Sequence, residues 1–283
     1  MQTPPLAHPS RRHALVGLGA WLAAPAGWAQ APASRRLTVG VEAALQTSGL
    51  AQRLAAALAR DVGLAIAWRP GPSGLLLPEL ERGELDAALT QSPEFELALE
   101  RKNLVHDRRP VARTELVLVG PAPRRATGKK SATGDPAGVA GGRDIAVALA
   151  QVAASGARGE AGYVGHGEPS GERALEQALW KAAGPLPLGP WWRTAGAGPA
   201  AALDRAREEG AYALVERGVW AVRGAGSGLA VLVEGDPRQT ATYHVMRAFR
   251  AHHPAGKLLV SWLTGRSGQR VVAGFGRGYR AAG

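Results

Sequence analysis

Leu37-Thr38-Val39-Gly40-Val41, Leu64-Ala65-Ile66-Ala67-Trp68 and Leu85-Asp86-Ala87-Ala88-Leu89 are three short apolar runs, and what separates them decides the fold. Between the first two, Thr47-Ser48-Gly49 opens a stretch with Leu50, Leu54 and Leu58 four apart and Arg53 and Arg60 on the other side. That spacing is one face of an amphipathic helix. After the second run, the turn Arg69-Pro70-Gly71-Pro72-Ser73-Gly74 leads into a short helical pattern over 76–82. Strands alternating with helices in this way predict a parallel α/β sheet. Ligands of such sheets sit beyond the carboxyl ends of the strands, here near 43–48, Ser73 and 90–92.

Further on, Gly165-His166-Gly167-Glu168-Pro169-Ser170-Gly171-Glu172-Arg173 is a glycine-rich turn feeding a helix over 174–184. Ser170 reads as the N-cap, and Gly184 followed by Pro185 and Pro187 as the stop. The free amides and positive dipole end beside Ser170 and Gly171 suit an anion. Around this turn the pattern predicts an extended segment over 109–120, a helix over 144–154 and strands over 162–164, 191–194 and 212–215. Strands over 229–234 and 243–248 follow, with helices over 200–209, 256–264 and 267–275. The segment 121–142 reads as a loop, and Arg124, Arg125, Lys129 and Lys130 give it a basic stretch.

The chain of 283 residues is 46% hydrophobic, enough for one large domain or two ordinary ones. Residues 1–33 read as a cleaved secretory leader, with Ser10-Arg11-Arg12 ahead of an apolar run over 14–26; the paired arginines fit the twin-arginine route. Removing that leader leaves 32 basic residues against 23 acidic, a net +9. The basic residues are scattered and not interleaved with aromatics, which argues against a nucleic-acid module and leaves a small anionic ligand. The chain has no cysteine, which excludes disulfides, thiolate metal sites and a lipid-anchored cysteine. The mature protein is therefore expected in the periplasm, not as a lipoprotein.

Several stretches taken together, in order and spacing, resemble a known family. They are Asp107-Arg108-Arg109-Pro110-Val111 with Leu116-Val117-Leu118-Val119-Gly120-Pro121, Asp135-Pro136-Ala137-Gly138, Leu179-Trp180-Lys181-Ala182-Ala183-Gly184, Val231-Leu232-Val233-Glu234-Gly235-Asp236-Pro237 and Trp262-Leu263-Thr264 with Gly268-Gln269. The family is the tungstate-binding proteins of ABC importers, a branch of the type II periplasmic binding proteins. The resemblance implies a two-lobed α/β fold with the ligand cleft between the lobes and two crossing segments. It places 37–112 and 236–283 in the first lobe and 113–235 in the second, with an insertion at 122–134. It further implies a monomer that hands a tungstate- or molybdate-like oxyanion to a permease in the inner membrane.

Arg108 and Arg109 match the family's paired arginines, and Ser170 and Gly171 its second-lobe site. His166, Arg173, Thr47, Ser48 and Ser73 complete the expected ligand shell. Two departures stand out. Where the family has Thr-Thr-Thr-Ser after the first strand, this chain has Gly40-Val41-Glu42-Ala43-Ala44. Where the family has Ser-Arg-Gly-Asp-x-Ser-Gly-Thr, it has Gly165-His166-Gly167-Glu168-Pro169-Ser170-Gly171-Glu172. Donors to the anion are lost, and Glu42 near the cleft opposes one. A second reading is a sensing or accessory module of the same fold with another small anionic ligand and no transport role. Ser170, His166 and Glu168 lie within five residues, but sequence proximity does not orient a triad, so neither an enzyme nor a catalytic residue is expected. No cofactor is expected, and no metal site, since the adjacent His252 and His253 diverge in direction.

Overall fold

The computed structural model describes residues 36–123, 134–185 and 189–283. The leader over 1–33 and most of the basic insertion at 122–134 lie outside the described residues. The chain opens with β1 (Leu37–Glu42), α1 (Ala43–Ser48), α2 (Leu50–Val62), β2 (Ile66–Gly71), α3 (Ser73–Arg82), β3 (Ala87–Thr90) and α4 (Pro93–Arg101). As the apolar spacing predicts, Leu50, Leu54 and Leu58 are buried while Arg53 and Arg60 face out. The helix does not, however, begin at Thr47. Gly49, at φ +91°, ends α1 and starts α2, so Thr47 and Ser48 lie in the last turn of a helix that begins directly after Glu42. Helix α4 was not anticipated, although Pro93 at its first position and Glu94 in its first turn are ordinary start signals.

The long strand β4 (Val105–Pro121) then runs through both halves of the molecule. Its first half pairs with β9 (Thr240–Ala248) and β10 (Arg280–Ala281); its second half pairs with β7 (Ala213–Glu216) and β8 (Leu229–Val233). Strands β2, β1 and β3 are parallel neighbours, and β9 joins β3 antiparallel. The other half contains α5 (Ile145–Ala157), β5 (Tyr163–Gly165), α6 (Gly171–Ala183), β6 (Trp192–Thr194), α7 (Ala201–Glu209) and α8 (Arg217–Arg223). Helices α9 (Gly256–Thr264) and α10 (Arg266–Phe275) return to the first half, where Leu259, Trp262 and Val272 pack with Val39, Leu54 and Val245.

The second half has its own core. Leu116, Leu118, Ile145, Leu149 and Leu214 enclose Tyr163, Trp180, Trp191 and Tyr212. Tyr163 stands edge-on to Trp180 at 4.7 Å between ring centroids, and Trp192 closes the group at 5.2 Å from Trp180. Asp144 caps α5 by accepting from the Ala146 and Val147 amides, so that helix starts where the sequence places it. Truncating Trp180, 2% exposed, removes a large apolar side chain that its neighbours cannot refill. Trp180→Ala is expected to lower stability by about 3–5 kcal/mol in denaturant unfolding.

Candidate functional site

The carboxyl ends of β1, β2 and β3 present Glu42, Ser73 and Gln91 toward the second lobe, as a parallel sheet dictates. Facing them are the loop after β5, the start of α6 and the end of β7. The two sides touch. The Gly74 amide donates to the Pro169 carbonyl at 2.8 Å, and a methyl group on Gly74 would stand 2.6 Å from that oxygen. Gly171 lies against the backbone of Gln91, so that any side chain there would overlap the Gln91 carbonyl oxygen. Ala44 packs into the second lobe among Val164, Val215 and Val219. The lobes are closed on one another.

Three carboxylates are buried in this seam: Glu42, Glu172 and Glu216, none more than 3% exposed. Glu42 accepts from both the Ser73 amide, at 3.1 Å, and the Ser73 hydroxyl, and so occupies the start of α3. Glu216 accepts from the phenols of Tyr243 and Tyr279, and Tyr279 also donates to Ser48 Oγ at 2.9 Å. Glu172 lies close enough to raise the carboxyl pKa of both others. Burial, with the Glu172 charge second, holds Glu42 well above the usual carboxylate range and pushes Glu216 up to about 8. Glu172 Oε1 and Gln91 Nε2 have no hydrogen-bond partner although both are buried. A cavity of about 810 Å³ opens beside the seam, lined by Gln91, Ser92, Gly171, Arg113, Lys181 and His244 among others.

The expected ligand shell is only partly assembled. Ser73, Ser170 and Gly171 come together at the seam. Ser170 caps α6 as predicted, its hydroxyl accepting from the Arg173 amide at 3.2 Å. The arginine pair does not join them. Arg108 turns inward and binds Glu96 at 2.9 Å and His244 at 3.1 Å, while Glu96 in turn accepts from Thr90 and the Ser92 amide. Its charge is spent fixing the start of α4. Arg109 is exposed, between two irregularities in the β4–β9 register. The His166 ring bonds the Leu214 carbonyl through Nε2 at 2.9 Å, and Arg173 donates to the Gly167 carbonyl. Both of these side chains brace the loop. Ser48 serves the Tyr279 network, and Thr47 sits on the last turn of α1, away from the helix start that would aim it at a ligand.

Sequence reasoning missed Glu172, Glu216 and Gln91. A first-turn acid such as Glu172 reads as ordinary compensation of the helix dipole. Only the opposing lobe buries it.

A two-lobed α/β protein closing over a polar seam, with one strand shared between the lobes, has the form of a periplasmic binding protein. Residues 37–277 match the bacterial extracellular solute-binding protein family, and the chain belongs to it. Among solved structures, it is similar to the tungstate ABC transporter protein from Geobacter sulfurreducens, with a TM-score of 0.73 and 26% identity over 86% of this chain and all of that one. The tungstate-binding protein TupA from Desulfovibrio alaskensis G20 gives 0.69 and 26% over 87% of this chain and 96% of that one. A Haloferax volcanii protein provisionally named an ABC transporter anion-binding protein is 28% identical over 72% of this chain. That match spans 58% of the relative's length. These relatives are binding proteins, not enzymes.

Two measurements probe the seam. Gly171→Ala is expected to hold the lobes apart while each lobe stays folded, giving a larger radius of gyration by small-angle scattering with retained helical circular dichroism. The second is pH dependence. Glu216 binds its proton more tightly folded than unfolded, so its contribution to stability is full below its ordinary value of 4.5 and is lost as pH rises through about 8. Unfolding temperature should fall across that window, and Glu216→Gln should flatten part of the fall.

Proposed function

We propose that this chain is the exported solute-capturing subunit of an ABC importer. It encloses one small solute between its lobes and, as a monomer, presents the closed form to a permease in the inner membrane. The observation that carries this reading is the closed seam itself. Gly74 against Pro169 and Gly171 against Gln91 are contacts between lobes that no side chain interrupts, in a molecule whose lobes share the long strand β4. A hinge of that kind closes when a solute adds contacts to both sides. Family membership and the relatives named above support the same role.

The finer reading is a small oxyanion such as tungstate or molybdate. In its favour stand the ligands after which the relatives are named and the free helix start at Ser170. Against it stand the binding of Arg108 to Glu96, the outward position of Arg109 and the occupation of Ser73 by Glu42. An anion needs unspent donors, and here most are spent. The importer role does not depend on the sign of the solute's charge.

The test is made in the native host. The chain is expected in the periplasmic fraction with an N-terminus near Gln30 or Ser34. Deleting its gene should lower uptake of one small solute, identified by comparing cell extracts with and without the gene. A full-length cytoplasmic chain, or solute uptake unchanged by the deletion, would overturn the reading and favour an accessory module without transport.

A further inference from the structure

The carboxylates of the seam come from different elements: Glu42 ends β1, Glu172 is in the first turn of α6, and Glu216 ends β7. Among the described residues, no cationic side chain pairs with any of them. The neighbours that do bond them are neutral, namely Ser73, Tyr243 and Tyr279. Arg113 and Lys181 line the wall of the adjoining cavity, and the cations next to the three acids in sequence, like Arg277, are committed elsewhere. Arg173 goes to the Gly167 carbonyl, Arg217 to Glu115 and Glu234, and Arg277 to the Ser48 carbonyl. His166 gives its ring nitrogen to Leu214.

Like charges brought together out of water cannot all stay ionised unless positive charge is supplied. In the free protein protons neutralise Glu42 and Glu216, and are held firmly through burial first and the Glu172 charge second. A solute can supply positive charge instead. The seam is also incomplete as hydrogen bonding goes. Glu172 Oε1, an acceptor, is buried with no donor to meet it, and the Gln91 amide nitrogen is buried without an acceptor.

We propose that the solute captured between the lobes carries a positive charge, as an ammonium or guanidinium group on a small organic molecule, held by Glu172 with Glu42 and Glu216. This rests on the reading of the seam as the solute site. Glu172 Oε1 accepts the first N–H, and the remaining lone pairs of Glu42 and Glu216 accept others. Glu42 has a second effect: it fills the start of α3, where an oxyanion would otherwise find the amide and hydroxyl of Ser73. Acceptors spread over three elements suit a group with several N–H donors, three on an ammonium and five on a guanidinium. Among the described residues, no three ligating side chains converge closely enough for one metal ion. The cavity beginning at Gln91 and Gly171 gives room for the rest of the molecule.

The experiment uses the mature chain at neutral pH. Thermal unfolding and calorimetric titration are run with arginine, lysine, agmatine and putrescine, against sodium tungstate, molybdate and sulfate and magnesium and calcium chloride. At least one amine is expected to raise the unfolding temperature and to bind in the titration, with no response to the oxyanions or metals. Glu172→Gln should weaken that amine about tenfold or more, the loss of a charge-assisted contact, without lowering the unfolding temperature of the free protein. Silence from all four amines, equal amine affinity in Glu172→Gln, or stabilisation by a divalent metal overturns the proposal. So does binding of tungstate or molybdate, although that result leaves the importer reading intact.

Discussion

A carboxylate can leave water only if something in the fold answers its charge or its lone pairs, and this molecule places three of them where its two lobes meet. Glu216 reaches from the end of β7 to the phenols of Tyr243 and Tyr279, residues of the first lobe's core. Through Tyr279 it also touches Ser48, at the end of α1. The position of the second lobe's sheet relative to the first is thus tied to the protonation and bonding of one acid. Glu42 stays within the first lobe, closing on the start of α3 at its edge of the seam. Packing of the two cores makes the lobes; these acids determine what the space between them tolerates.

The shared strand explains why so few contacts suffice. β4 belongs to one sheet through Val105–Glu115 and to another through Leu116–Pro121, so the lobes cannot separate without bending a single strand pair. Gln239 reinforces the crossing by donating to the Leu116 carbonyl at 2.6 Å, and Asp236 accepts the Ile145 amide just beside it. The crossing therefore holds the lobes in register, while the seam between them is light. At the seam, the absence of a side chain at Gly74 and Gly171 permits backbone to meet backbone. That is a balance a bound solute can shift.

Similarity to tungstate-binding relatives fixes the fold and the transport class without fixing the ligand. The positions that the resemblance assigns to the ligand carry other chemistry here. An acid stands after the first strand, another follows the Ser-Gly of the second lobe, and the inward arginine is bound to Glu96. A scaffold keeps its hinge and its helix starts while the side chains that read the ligand change.

The alternation of strands and helices, the apolar face of α2, the caps at Asp144 and Ser170 and the extended run through 109–120 were legible in the sequence. They depend on spacing and local backbone chemistry, which a linear chain records. Glu42 was legible as an obstacle to an anion. The duties of Arg108, His166 and Ser48 were not, because each is settled by a partner far along the chain: His244, Leu214 and Tyr279. Glu172 reads in sequence as a solvated first-turn acid. Only the approach of the opposite lobe strips its water, leaves one oxygen unanswered and sets it against two other carboxylates. Burial is a property of the assembled pair of lobes, and it is burial that turns three ordinary glutamates into a site.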